Sequence, residues 1–178
     1  MVRAFLPRMM ELEKGSVVSL CSIAGHAGAP NMVPYSASKF AVKGMMEALH
    51  QELRQETPDH NIHLMTVSPF IVDTGMIKGA YIRFPSKIVL LSTYYGSVKL
   101  PRKFHLTLLS GFLNKVSAQD AAQLIVRNMR KKSNILFIPG RYYYLHNLAR
   151  LLPNEIQWLI MDFIDTGIDV HYDNTDHL

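Results

Sequence analysis

The sequence predicts an α/β fold built on a parallel sheet covered on both faces. Three observations predict it. Short apolar runs alternate with helical patterns along the chain. Those runs are rich in β-branched residues and lack the in–out alternation of a half-exposed sheet, as strands buried on both faces require. Helices stand between successive strands, which is the connection that parallel pairing needs.

The elements follow in order. Residues 1–13 predict a helix with Phe5, Leu6, Met9, Met10 and Leu12 on its apolar side and Gly15 just past its end. Val17-Val18-Ser19-Leu20-Cys21-Ser22 predicts the first strand, and a Gly/Ala/Pro-rich loop runs from Ile23 to Asn31. After Pro34 a long helical pattern places Ala37, Phe40, Ala41, Met45, Leu49 and Leu53 at helical spacing until Pro58. Ile62-His63-Leu64-Met65-Thr66-Val67 predicts a second strand ended by Ser68-Pro69. Residues 70–116 carry weak periodicity, and a long irregular segment of this kind is usually functional. Ser117-Ala118-Gln119-Asp120 has the form of a capping box and opens a helix with Ala121, Ala122, Leu124, Ile125 and Met129 inward. Arg127, Arg130, Lys131 and Lys132 suit that helix's C-terminal dipole. Ile135-Leu136-Phe137-Ile138 predicts a third strand. The tail, 141–178, reads as helical in two pieces broken near Pro153, with a frayed polar end from Asp169. Three strands leave a sheet edge to be covered, a sign of missing chain.

Composition narrows the class. Of 178 residues, 48% are apolar and 19% charged, which excludes wholesale disorder. A single cysteine, Cys21, excludes an intramolecular disulfide framework and reads as a small core residue. The net charge of +5 is read as solubility rather than nucleic-acid binding, since no zinc finger or basic-aromatic motif accompanies it. No run of about 18 apolar residues predicts a membrane-spanning helix. His50, His60 and His63 lack metal-ligand spacing with acids, so no metal site is expected. His26 reads as a solvated loop histidine, and Lys99-Leu100-Pro101-Arg102-Lys103 as a solvated loop before an anionic-lipid contact. Tyr142-Tyr143-Tyr144 and Trp158 with Leu159, Ile160 and Phe163 leave two readings open: packing on the core, or an interfacial belt or dimer surface.

The chemistry is concentrated in Tyr35-Ser36-Ala37-Ser38-Lys39. Residues four apart at the start of a helix share a face one turn apart. A free phenol has a pKa of about 10, too high for a base near neutrality, and a neighbouring ammonium favours the phenolate. Tyr35 beside Lys39 can then exchange a proton with an alcohol or carbonyl. Ser22 stands at the carboxyl end of a predicted strand, the rim where open α/β sheets bind ligands, and its hydroxyl suits a substrate oxygen.

Three segments together resemble the short-chain dehydrogenase/reductase family: Val18-Ser19-Leu20-Cys21-Ser22-Ile23-Ala24-Gly25, Tyr35-Ser36-Ala37-Ser38-Lys39-Phe40-Ala41-Val42-Lys43-Gly44, and Ser68-Pro69-Phe70-Ile71-Val72-Asp73-Thr74-Gly75-Met76. The last run and Ala4-Phe5-Leu6-Pro7 are similar to the branch with retinol and hydroxysteroid dehydrogenase-like enzymes. The resemblance implies an oxidoreductase that interconverts an alcohol and a carbonyl with NAD or NADP. It implies that Tyr35 is the catalytic tyrosine, that Lys39 lowers its pKa and holds the nicotinamide ribose, and that Ser22 orients the substrate. It also implies that Pro69, Val72 and Thr74 lie along the nicotinamide and phosphates, with Phe70 where the family usually has glycine. Residues 70–116 become a substrate loop, whose Ile88, Val89, Leu90, Leu91, Tyr94 and Tyr95 suit a retinoid, steroid or fatty substrate.

The family's glycine-rich phosphate turn has no counterpart here, since Gly25-His26-Ala27-Gly28 has the wrong spacing and place. The expectation is therefore a partial Rossmann-like doubly wound parallel sheet. It would be a single truncated domain over 1–178 that resembles the later half of the family's domain along nearly the whole chain. Weak or no cofactor binding by the isolated chain is expected. The alternative is a catalytically inactive fragment that binds a partner or membrane surface. The partners implied are a small apolar substrate, an endoplasmic reticulum membrane or lipid-droplet surface, and a second copy as a homodimer; nucleic acid is not among them.

Overall fold

The computed structural model describes residues 1–28, 30–56, 61–74, 80–83, 116–157 and 167–170. The elements are α1 (Val2–Glu11), β1 (Lys14–Leu20), a 3₁₀ turn (Ile23–Gly25), α2 (Val33–Glu56), β2 (Asn61–Pro69), β3 (Val72–Asp73), β4 (Ala80–Arg83), β5 (Val116–Ser117), α3 (Ala118–Arg130), β6 (Ile135–Ile138), α4 (Arg141–Ala149) and β7 (Gly167–Val170). Most of the expected substrate loop lies outside the described residues, as do His60, the 99–103 run and the Trp158–Phe163 cluster.

The predicted parallel sheet is present, in the order β1-β2-β6. β2 is central. It pairs in parallel with β1 from Lys14↔Asn61 to Leu20↔Val67, and with β6 from Thr66↔Ile135 to Pro69↔Ile138. A strand bonded on both sides and covered on both faces excludes water, and Met65, Val67 and Ser68 are fully buried. One face carries Met46, Leu49 and Leu53 of α2 against Ile62 and Leu64, with Val2, Leu6, Met9 and Met10 of α1 alongside. The opposite face packs Met65, Val67 and Ile138 against Ala121, Ile125 and Met129 of α3. The outer edge of β1 is unpaired among the described residues.

Several boundaries and faces differ from expectation. β1 begins three residues early and ends at Leu20, so Cys21 and Ser22 follow the strand rather than close it. The left-handed residue ending α1 is Glu13, at φ 49°, not Gly15. Gly15 serves close approach instead: a Cβ there would fall 2.5 Å from the Met9 sulfur. α2 starts before Pro34, and the stripe it lays on the sheet is Met46, Leu49 and Leu53, so Phe40 and Met45 are exposed rather than inward. In α3 the inward stripe is the i, i+4, i+8 set Ala121, Ile125 and Met129; Ala122 and Leu124 face out. The capping reading of α3 holds: the Asp120 amide donates to Ser117 Oγ at 3.0 Å, and that hydroxyl donates to the Asp120 carboxylate at 2.7 Å. Two small pairings had no signal in the sequence. β3 pairs in parallel with β5, and β4 pairs antiparallel with β7. β7 includes Asp169 and Val170, residues expected to be frayed.

Candidate active site at the carboxyl ends of β1 and β2

The site forms where β1 and β2 end side by side. The Cys21 amide donates to the Val67 carbonyl at 2.8 Å, carrying the ladder one residue past β1. Ser22, 7% exposed, then caps the 3₁₀ turn: its Oγ accepts from the Ala24 amide at 3.2 Å. The same hydroxyl lies 3.5 Å from the Pro69 carbonyl as a donor, tying the end of β1 to the end of β2.

Two features press this turn onto α2. The Cys21 thiol donates to the Lys39 carbonyl at 3.3 Å. Gly25 packs so closely that an added Cβ would fall 2.5 Å from Cys21 Sγ and 2.7 Å from the Lys39 carbonyl oxygen. Cys21 is buried, as expected of a core residue, and it also links strand end to helix.

Tyr35 lies in the first turn of α2 and Lys39 one turn later, both half-buried. The Lys39 ammonium sits 5.6 Å from the centre of the Tyr35 ring and donates to the Leu20 carbonyl at 3.1 Å. A cation at that distance from an aromatic face is held by the ring quadrupole. The carbonyl bond anchors it to the end of β1. Lys39 therefore lies against both the Tyr35 ring and the strand end. Ser22 stands on the same rim but is engaged with Ala24 and Pro69. Among the described residues, no hydrogen bond joins the Tyr35 hydroxyl to Ser22 or to the Lys39 ammonium.

The Pro69–Thr74 segment leaves β2 along this rim. Phe70 stands in place of a turn glycine without breaking the path: its amide donates to the Ile138 carbonyl at 2.8 Å and its ring packs 4.8 Å from Tyr142. Val72 packs on the core, while Thr74 is exposed, its amide donating to the Val72 carbonyl at 2.9 Å.

His26 corrects the sequence reading. It is not a solvated loop residue. Its Nε2 lies 2.8 Å from Ser68 Oγ, and its ring packs 4.8 Å from Phe137 and 4.6 Å from His146. Burial lowers its pKa to about 4, helped by His146 and Lys43, while Glu47 opposes the shift. Burial and Arg150 also lower the pKa of His146. The signal available in the sequence was the position of His26 past the end of one strand and Ser68 at the end of another, two strands that turn out to be neighbours. His63 is likewise committed to structure, with Nε2 3.1 Å from the Ser133 carbonyl.

Residues 1–81 match the family described as short chain dehydrogenase. Over 81 residues the chain is 43% identical to retinol dehydrogenase 10-A of Xenopus laevis, covering 46% of this chain and 24% of that protein. It is 36% identical over 95 residues to short-chain dehydrogenase/reductase family 16C member 6 of Bos taurus, covering 53% of this chain and 30% of that protein. The chain thus spans well under half the length of these relatives. Among solved structures, it is similar to a short chain dehydrogenase/reductase from Burkholderia phymatum in complex with NAD, with a TM-score of 0.58 and 21% identity. That likeness covers 84% of this chain and 52% of that one. A short chain dehydrogenase from Burkholderia cenocepacia J2315 in complex with NADP gives a TM-score of 0.59 at 18% identity, covering 92% and 54%. At such identities the likeness shows the fold, the Rossmann-like α/β sheet that the sequence led one to expect. The sequence likeness itself is narrower than expected. It does not run along nearly the whole chain as the later half of the family's domain, but is confined to this chain's N-terminal part. The residues that match the short chain dehydrogenase family model, 1–81, include Ser22, Tyr35 and Lys39.

Proposed function

We propose that this chain contributes the proton-transfer and substrate-orienting part of an NAD(P)-dependent oxidoreductase that interconverts an alcohol and a carbonyl on an apolar substrate. The observation that carries this reading is the Lys39 ammonium, held at the end of β1 by Leu20 and facing the Tyr35 ring. The retinol dehydrogenase relatives favour a retinoid among the apolar alcohols.

The donor set fits the nicotinamide ribose end of a dinucleotide. Lys39 spends one donor on Leu20 and is half-exposed, so its other N–H groups are available to ribose hydroxyls. Pro69, Val72 and Thr74 would border the nicotinamide. When bound, NAD or NADP supplies hydride exchange at the substrate carbon. The chain's own part is proton handling and orientation. The Tyr35 hydroxyl gives a proton to the carbonyl oxygen during reduction and takes it back during oxidation. Lys39, anchored on the Leu20 carbonyl, holds its positive charge beside the Tyr35 ring. Ser22, already oriented by Ala24 and Pro69, turns its hydroxyl toward the oxygen where charge develops.

In the protein that contains this chain, Tyr35→Phe is expected to lower turnover of an apolar alcohol by about 100-fold or more, the scale of general acid–base catalysis. Its urea midpoint should stay unchanged. Retained turnover would sink the assignment. A second reading, catalytically silent binding to a partner, is favoured by the outer edge of β1, which is unpaired among the described residues. Fluorescence titration of the chain with NADH and NADPH separates the two: quenching that Lys39→Met abolishes supports the enzyme reading, and no binding supports the other.

A further inference from the structure

Ser22 sits between two ties to β2. Before it, the Cys21 amide donates to the Val67 carbonyl at 2.8 Å. After it, His26 Nε2 lies 2.8 Å from Ser68 Oγ. The stretch between is closed on itself: the Gly25 amide donates to the Ser22 carbonyl at 3.0 Å, and the His26 amide to the Ile23 carbonyl at 2.8 Å. A turn bonded internally moves as one piece, so pins at its two ends fix what lies between. The direct tie from the Ser22 hydroxyl to the Pro69 carbonyl is 3.5 Å long, beyond the usual range for a hydroxyl donor, and holds it only weakly.

The surroundings of His26 keep its end of the turn in place. Ser68 is fully buried in β2, next to Pro69. Phe137 of β6 and His146 of α4 pack on the imidazole with 4.8 and 4.6 Å between ring centres, which restricts its rotation. Nδ1 is buried with no hydrogen-bond partner among the described residues. The tautomer that donates from Nε2 and leaves Nδ1 as a bare lone pair therefore buries no orphan N–H. The charged groups acting on the ring are Lys43 and Glu47 of α2 and Arg150 at the end of α4.

We infer that His26 is a positioning residue for the candidate site: by bonding Ser68 it fixes the Ser22 turn on the end of β2 and so aims the Ser22 hydroxyl. The consequence for turnover rests on the proposed role of Ser22; the aiming itself does not.

Three variants separate the bond from the packing. His26→Phe keeps an aromatic ring beside Phe137 and His146 and loses the bond. His26→Gln places an amide N–H near the position of Nε2 and keeps a donor. Ser68→Ala removes the partner with little loss of volume, and decides the matter should His26→Phe not fold. The Ala24 amide, which donates to Ser22 Oγ at 3.2 Å, reports the aim of that hydroxyl through hydrogen exchange, read by NMR. His26→Phe and Ser68→Ala are expected to speed Ala24 exchange about tenfold, the scale of one hydrogen bond, while His26→Gln stays close to wild type. Exchange of the Cys21 amide, on the other pin, should not change in any of the three. In the protein that contains this chain, His26→Phe should lower kcat for an apolar alcohol about tenfold with KM little changed, and His26→Gln should restore it. Unchanged Ala24 exchange in His26→Phe and Ser68→Ala overturns the inference. So does equal acceleration at Ala24 and Cys21, which marks general loosening, or Ala24 exchange as fast in His26→Gln as in His26→Phe. Ala24 exchange that follows the bond while kcat does not supports the aiming of Ser22 and removes Ser22 from catalysis instead.

Discussion

His26 and Tyr35 stand a few residues apart in sequence, yet their surroundings give them different work. Tyr35 keeps a half-exposed ring under a lysine, at a rim open to ligand. His26 is drawn into a small cluster with Ser68, Phe137 and His146. Its pKa is lowered to about 4, below the ordinary histidine value of 6.5, because burial disfavours the charged ring. The unfolded chain therefore binds a proton that the folded chain refuses between those values. Stability is expected to be flat above pH 6.5 and to fall as pH drops from 6.5 toward 4. Urea titrations at several pH values should show this slope, and His26→Gln should make it shallower. A residual slope is expected from His146, whose pKa is lowered in the same direction. An unchanged slope in the variant would mean that His26 is not the group that titrates. None of this was legible in the residue itself. A histidine in a glycine-rich loop looks solvated until a partner 42 residues away is brought beside it.

At the scale of elements, the sharpest local demand is at the junction of β1, the 3₁₀ turn and α2. Gly25 meets backbone there as well as side chain: the Lys39 carbonyl would lie 2.7 Å from an added Cβ. A backbone carbonyl inside a helix cannot yield cheaply. Gly25→Ala is expected to destabilise the chain by about 1–3 kcal/mol and to disturb Lys39. Gly15 makes the contrasting case, since an added Cβ would meet only the flexible Met9 side chain. Gly15→Ala should cost clearly less, and thermal melts of the two variants test the order. The elements themselves were mostly legible. α2 showed a long helical period, β2 an unbroken apolar run, and α3 a cap followed by a basic end. What periodicity did not yield was which residues on each helix face the sheet. Phe40 and Met45 of α2 fit the period as well as Met46 does, but the side that meets the sheet is the one carrying Met46, Leu49 and Leu53.

For the whole molecule, β2 is the hinge of the energetics, because both apolar clusters use it. Met65 is fully buried on the α3 side. Met65→Ala is expected to cost about 2–5 kcal/mol, the range for emptying a methionine site in a packed core. Leu20→Ala, on edge strand β1 and 59% exposed, should cost about 0.5 kcal/mol or less. Denaturation midpoints that place the two variants close together would contradict this division between centre and edge. The same layout accounts for the site. β1 and β2 are adjacent and parallel, so their carboxyl ends bring Ser22, Leu20 and Pro69 to one rim, and α2 returns over them with Tyr35 and Lys39.

By itself the sequence determined the alternation of helix and strand, the parallel sheet and the Tyr35–Lys39 pair, because these follow from periodicity and from spacing within a single helix. Only the tertiary structure decided the strand order, the capture of His26 by Ser68, the outward leucines of α4 and the pairing of Ala80–Arg83 with Gly167–Val170. Each of those depends on residues far apart along the chain meeting in space. Local propensity carries no record of which distant backbone or side chain will be the neighbour.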